Sequence, residues 1–266
     1  MITINNYKKV ESLEEAYGLN QKKSNAIIGG MLWLKMGHQT VQTAIDLSGL
    51  GLDEIEENDE EFRIGCMTTL RQLETNKGLA QYTGGAMREA LHHIVGVQFR
   101  NVATVGGSIY GRYGFSDVLT MFLAMDTYVE LYKGGIIPLK EFARQKYDRD
   151  ILVRIIVKKE NAMFYYESVR NQAKTDFPLL ACGAAKTQSG EYRFSIGARP
   201  GKAVLLLDEK NILAAGKDNI DVAVKEFAEY AKEEIVTGTN TRGRAQYRTH
   251  LTGVLVKRAI LALNER

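Results

Sequence analysis

Two glycine pairs, each directly after a short apolar run, constrain this chain more than any other feature. Gly29-Gly30 follows Ala26-Ile27-Ile28, and Gly106-Gly107 follows Ala103-Thr104-Val105. A glycine at a strand-to-turn junction carries no Cβ, so successive backbone N–H groups can converge on one point. Such a nest presents oriented partial positive charge and takes up phosphate oxygens. Thr104 and Ser108 would add hydroxyl donors beside the second pair, and Asp117 is an acceptor open to a ribose or other cofactor hydroxyl. Ordinary turns explain such pairs too, and Gly84-Gly85 and Gly134-Gly135 are read that way. Neither pair belongs to a Gly-x-Gly-x-x-Gly fingerprint, and Gly201-Lys202-Ala203 is no P-loop.

The elements around these turns follow from apolar periodicity. Residues 12–17 read as a short helix, with Ser12 as N-cap and Glu15 at the capping-box position. Ala26-Ile27-Ile28 reads as a buried strand entering the first glycine turn, with Trp33 and Met36 continuing an apolar face; residues 43–47 form the next strand. After an acidic loop at 53–61, Phe62-Arg63-Ile64-Gly65-Cys66 reads as a strand and residue 69 begins a helix. A helix over 85–94 would carry Ala86, Ala90, Leu91 and Ile94 on one side. Residues 117–125 read as a buried helix capped by Ser116 or Asp117, 127–132 as an alternating strand and 151–157 as a β-branched strand. Further strands at 164–169, 179–186 and 192–196 precede two amphipathic helices. The first carries Val224, Phe227, Ala228, Ala231 and Ile235 on one stripe; the second carries Leu251, Val254, Leu255 and Ala262, with Arg258 its one charged member. The pattern predicts an α+β protein. An N-terminal α/β domain spans 1–160, with subdomains of about 1–55 and 56–160, and an α+β domain with a small antiparallel sheet and helices spans 161–266.

Composition excludes several functions. With 45% hydrophobic and 25% charged residues, 266 residues bury a core without disulfides or metals. The net charge of +3 is small and no basic block stands out, so no nucleic-acid partner is expected. Cys66 and Cys182 sit among small or apolar neighbours and read as reduced core thiols. Two cysteines cannot supply the usual four thiolates of an iron–sulfur cluster. Residues 1–10 lack a signal peptide's apolar core, and no run approaches the ~20 apolar residues of a membrane span. A cytoplasmic protein with no membrane partner is expected. His92-His93 is the one histidine pair; neighbours on a helix point about 100° apart, so no metal site is expected there. Hydrolase and metalloprotease motifs are absent.

Beyond this, Phe99-Arg100-Asn101-Val102-Ala103-Thr104-Val105-Gly106-Gly107-Ser108, followed by Asp117, resembles the flavin-binding loop of the xanthine dehydrogenase and carbon monoxide dehydrogenase flavoprotein family. That family's pattern runs Arg-Asn-x-Ala-Thr-x-Gly-Gly-Asn. Ile27-Ile28-Gly29-Gly30 is similar to its Leu-Ala-Gly-Gly turn, and Ile64-Gly65-Cys66-Met67-Thr68-Thr69 to its Ile-Gly-Ala-x-Thr-Thr segment. Arg170 with Asp176-Phe177, and the run from Arg242 to Arg258, resemble its C-terminal stretches. The likeness is collinear over nearly the whole chain. It implies a two-part, PCMH-like FAD-binding domain followed by the family's C-terminal domain.

The resemblance also implies a set of contacts. Ala26, Ile27, Ile28, Gly29, Gly30, Met31, Leu32 and Trp33, together with Ala103, Thr104, Gly106, Gly107 and Ser108, would meet the FAD pyrophosphate and ribityl chain. Asp117 would hydrogen-bond the cofactor, Ile94 would line its adenine side, and Leu152 would pack near the isoalloxazine. Three positions depart from the pattern. Met31 and Leu32 stand where the family has Thr or Ser and often an acid, and Ser108 replaces Asn, so the grip would pass from side chains to backbone. Tyr166 stands about where some members carry a Lys near the flavin ring. The implied role is an electron-transfer subunit of a molybdenum hydroxylase, with an iron–sulfur subunit and a molybdopterin subunit as partners and NAD or another acceptor receiving the electrons. A flavin-free assembly subunit and a stand-alone flavin oxidoreductase are the alternatives.

Overall fold

Ser12 starts the first helix as its spacing predicts. Its Oγ accepts the Glu15 N–H at 3.1 Å, while the Glu15 carboxylate returns to the Glu11 N–H at 2.9 Å, and the helix runs over Leu13–Asn20. The computed structural model describes residues 1–172, 175–216 and 219–265; residues 173 and 174, inside the stretch that begins at Arg170, lie outside it. The chain divides into two units. The first comprises Met1–Leu73, Val97–Gly111 and Thr127–Lys158; the second comprises Glu74–Gly96, Arg112–Asp126 and Lys159–Arg266. Two stretches earlier in the chain, Glu74–Gly96 and Arg112–Asp126, cluster with the residues from Lys159 on.

The first unit holds two sheets. Strands β1 (Thr3–Lys9), β2 (Ala26–Ile28) and β3 (Thr40–Asp46) form a parallel sheet in the order β1-β3-β2. Strands β4 (Ile55–Glu57), β5 (Glu61–Gly65), β6 (Thr127–Leu131), β7 (Gly135–Pro138) and β8 (Leu152–Lys158) form an antiparallel sheet in the order β4-β5-β8-β6-β7. Strand β8 sits centrally, which suits its β-branched, mostly buried sequence. Strand β1 escapes the sequence pattern because its residues are polar and exposed; it is held as an edge by its pairing with β3.

The second unit is built on an antiparallel sheet of β9 (Ala162–Arg170), β10 (Pro178–Thr187), β11 (Tyr192–Gly197) and β12 (Val204–Leu207), in the order β12-β11-β10-β9. Leu180, Cys182, Ala184, Phe194 and Ile196 share a core with the helices Ile220–Glu234 and Ala245–Asn264. The alternate residues Gly183 and Gly197 face Thr120 so closely that a Cβ at either would meet it. This small-residue face admits the helix Asp117–Ala124, all eight of whose residues are buried. Ser116, rather than Asp117, caps that helix, accepting the Leu119 N–H at 3.0 Å. The charged member of the C-terminal helix's buried face is likewise corrected. Arg258 is exposed and pairs with Glu167, while Arg248 is 1% exposed. Its guanidinium donates to the carbonyls of Leu179, Gly238 and Gly243 and to Asn240 Oδ1.

Glu61 on β5 lies opposite Lys158 on β8 and also binds Arg63. Hydrogen bonds from Lys158, then Arg63, hold its carboxyl below the usual glutamate value, against the effect of burial. A depressed folded-state pKa means the stabilisation is present above the unfolded value of about 4.3 and is lost as pH falls through the folded value. Glu61→Gln is expected to flatten the acid limb of a plot of urea midpoint against pH, relative to the parent chain.

Candidate functional site

Strand β2 delivers the chain to Gly29-Gly30, and Ile28 is anchored in a small core with Val41 and Ala44. The turn then lies directly against residues 102–104. A Cβ on Gly30 would coincide with the Val102 carbonyl oxygen, and one on Gly29 would strike Thr104 Oγ1. The first pair is therefore glycine because the Val102 backbone and the Thr104 side chain stand where its side chains would be. Met31 follows with φ +58°, a left-handed conformation uncommon for a residue with a Cβ. Trp33 precedes the short 3-10 helix Leu34–Met36 and meets Phe99 edge-on, with ring centroids 6.0 Å apart. Met36 is exposed, so the apolar face expected here ends before it.

The N–H groups of Gly29, Gly30, Met31 and Leu32 have no acceptor among the described residues. All four residues are half-buried. A left-handed residue within a row of unused donors is the geometry of an anion nest. The second glycine pair differs, and the expectation of free donors there is corrected. Val105 N–H donates to Thr68 O and Gly106 N–H to Cys66 O, each at 2.8 Å. Gly107 N–H goes to Thr104 Oγ1 at 3.2 Å, and both Ser108 N–H and Ser108 Oγ go to Thr104 O. These bonds start a helix, Val105–Tyr110, and lock it against residues 66–68. A Cβ on Gly106 would collide with Cys66 O. Ala103 and Thr104 are buried, leaving exposed Gly107 and half-buried Ser108 as the accessible parts of this loop.

Arg149 completes the arrangement, and nothing in the sequence pointed to it. Its guanidinium donates to the carbonyls of Asn20, Lys22 and Asn25, the last two at 2.8 Å. Asn20 Nδ2 and Gln21 Nε2 return bonds to the Arg149 carbonyl at 2.9 and 3.1 Å. This clamp fixes the loop that feeds β2, and so the approach to the Gly29-Gly30 turn.

The remaining expected contacts lie elsewhere. Leu152 is in the first unit but 5% exposed within the five-stranded sheet, so it has little surface to offer a flavin. Ile94 is half-buried just beyond the helix Ala86–His92 of the second unit. Asp117, also in the second unit, is 4% exposed; Arg170 Nη2 at 2.7 Å and the Tyr166 hydroxyl both donate to its Oδ1. Burial raises its pKa, while Arg170 and the Tyr166 hydrogen bond pull it down. Asp117 Oδ1 is thus engaged by Arg170 and Tyr166 within the second unit. Tyr166 is buried and engaged with Asp117; burial and that carboxylate push its phenol well above the usual range.

Residues 3–159 match the family described as FAD binding domain in molybdopterin dehydrogenase. The chain belongs to that family. It is an FAD-binding subunit of the molybdenum hydroxylase kind, and FAD is its cofactor. It is 25% identical over 257 residues to the uncharacterized protein YgfM of Escherichia coli (strain K12), covering 95% of this chain and 94% of that one. It is 32% identical over 105 residues to 6-hydroxypseudooxynicotine dehydrogenase complex subunit alpha of Paenarthrobacter nicotinovorans, covering 38% of this chain and 35% of that one. The fold is shared with carbon monoxide dehydrogenase from Hydrogenophaga pseudoflava, solved in a form lacking the Mo-pyranopterin moiety of the molybdenum cofactor. That match has a TM-score of 0.84 at 24% identity and covers 97% of this chain and 96% of the other. No helix among the described residues is long and apolar enough to cross a membrane. The donor row at 29–32 fits a pyrophosphate: it offers several N–H groups to a doubly charged anion without an acidic side chain in the turn.

Two substitutions test these assignments. Gly30→Ala forces the turn away from the Val102 carbonyl and is expected to cost about 1–3 kcal/mol in urea unfolding, as overpacking does. Asp117→Asn leaves Arg170 buried without its counter-charge and is expected to cost about 3–5 kcal/mol; an unchanged urea midpoint would show that the ion pair carries no stability.

Proposed function

We propose that this chain carries electrons within a xanthine dehydrogenase-like molybdenum hydroxylase. Electrons arrive from iron–sulfur clusters on a partner chain and leave through the FAD held here to NAD or another acceptor. A molybdopterin subunit oxidises the substrate, and the assembly is cytoplasmic. The observation that carries the reading is the row of unused N–H donors at Gly29, Gly30, Met31 and Leu32. Bound FAD supplies the redox chemistry, exchanging electrons singly or in pairs. The chain's own residues bind and orient. The four N–H groups meet the pyrophosphate charge, with Gly107 and the Ser108 hydroxyl beside it, and Arg149 holds the approach to the turn.

Two features support a partner chain as electron source. Both cysteines are buried, and burial pushes the Cys66 thiol up to about 12 and raises Cys182 further still. Neither is suited to hold a cluster. A relative is named as one subunit of a dehydrogenase complex.

The test is titration of the purified, deflavinated chain with FAD. One FAD per chain is expected, with the visible flavin band. Arg149→Ala is expected to weaken binding by about tenfold, or about 1.4 kcal/mol, with partial recovery in Arg149→Lys. A colourless chain with no affinity for FAD overturns the reading and leaves a flavin-free assembly subunit. Flavin reduction by an external donor in the absence of any copurifying iron–sulfur or molybdenum chain would favour a stand-alone oxidoreductase instead.

A further inference from the structure

The helix Ala86–His92 places Glu89 one turn before His92 and His93. Residues at i, i+3 and i+4 of a helix share a face, so the carboxylate and both rings meet. His92 Nδ1 lies 3.6 Å from Glu89 Oε2, and His93 Nε2 lies 3.7 Å from Glu89 Oε1. One ligand atom from each residue falls within a set no wider than 4.8 Å. A tetrahedral zinc ion with bonds of about 2.0–2.1 Å needs ligand atoms about 3.4 Å apart. Two of the three separations, 3.6 and 3.7 Å, already lie near that spacing.

We propose that Glu89, His92 and His93 form a three-ligand site for a divalent transition-metal ion of the zinc class, with the fourth corner open to water. The donor set selects the class of ion. Two imidazoles and a carboxylate suit zinc, cobalt or nickel; no thiolate favours a softer ion, and one carboxylate is too little oxygen for calcium or magnesium. The imidazole rings are in tilted contact, with centroids 3.7 Å apart and planes 40° from parallel, so the two rings lie together before any ion arrives. Glu89 is exposed and both histidines are half-buried, so the site is open to solvent. His92 Nδ1 also lies 3.2 Å from the Arg88 carbonyl, a bond that metal binding must replace. The Asp117–Arg170 pair is the buried charge that acts on His93, and its two members oppose one another there. Glu-x-x-His-His is the corresponding signal in the sequence, with Glu89 at i to the histidines' i+3 and i+4.

The assignment is independent of the flavin. Untagged full-length chain is titrated with Co²⁺ and then Zn²⁺. One Co²⁺ per chain is expected, with the intense visible bands of a tetrahedral or five-coordinate ion, displaced by stoichiometric Zn²⁺ at a dissociation constant on the order of micromolar. His92→Gln and Glu89→Gln, both at solvent-accessible positions, are each expected to weaken binding at least tenfold, with circular dichroism confirming the fold. Absence of the bands at about 100-fold excess of Co²⁺ overturns the proposal, as does metal uptake that both variants leave unchanged.

Discussion

The Gly29-Gly30 turn rests on the backbone of residues 102–104, and the first unit's candidate site depends on that contact. Two chain segments more than seventy residues apart meet with no side chain from the turn between them, because a Cβ on Gly30 would clash with the Val102 carbonyl and one on Gly29 with the Thr104 side chain. The contact holds one face of the turn, leaving its N–H groups without acceptors. It also gives the second glycine loop its role. Thr104, Gly106 and Gly107 spend their hydrogen bonds on capping the helix Val105–Tyr110 and tying it to residues 66–68. That loop is the support, and the first turn is what presents charge.

Presenting charge this way is destabilising without a ligand. Met31 is held at φ +58°, and four half-buried donors are left without acceptors among the described residues. Strain of this kind costs about 1–3 kcal/mol and persists only where the surroundings over-determine it. Here they do: β2 pairs with β3 before the turn, Trp33 packs on Phe99 after it, and Arg149 draws three carbonyls of the preceding loop together. A ligand that satisfies the donors stabilises the folded chain by mass action, so cofactor binding and stability of this unit are linked.

Elements whose burial leaves a period in the sequence were legible. The strand into the first turn, β8, the buried helix after Ser116 and the stripe from Val224 to Ile235 stand where the apolar spacing puts them. Elements held by long-range bonds were not. The helix Val105–Tyr110 contains two glycines and has little propensity of its own; it forms through Thr104 and the carbonyls of Cys66 and Thr68. The ion pair of Asp117 was not legible either, because its partner, Arg170, lies fifty-three residues on. Arg248, not Arg258, is the buried arginine because its acceptors are backbone carbonyls, which no side-chain pattern reveals.

Close approach through missing side chains occurs in both units with opposite results. In the second, Gly183 and Gly197 admit an apolar helix, and the space is filled by Thr120. In the first, the Gly106 N–H ends on Cys66 O, whereas Gly29 meets the Thr104 side chain and Gly30 the Val102 backbone without either giving up its N–H to an acceptor among the described residues. A glycine pair thus identifies a place where chains approach, and does not by itself identify a ligand. What distinguishes the two is the destination of the N–H groups. By that criterion one of the two sequence motifs keeps its N–H groups available, and the other uses them to start and brace a helix. This also explains how Met31 and Leu32 can replace the polar residues usual after such a turn: backbone donors do not require side-chain oxygens beside them.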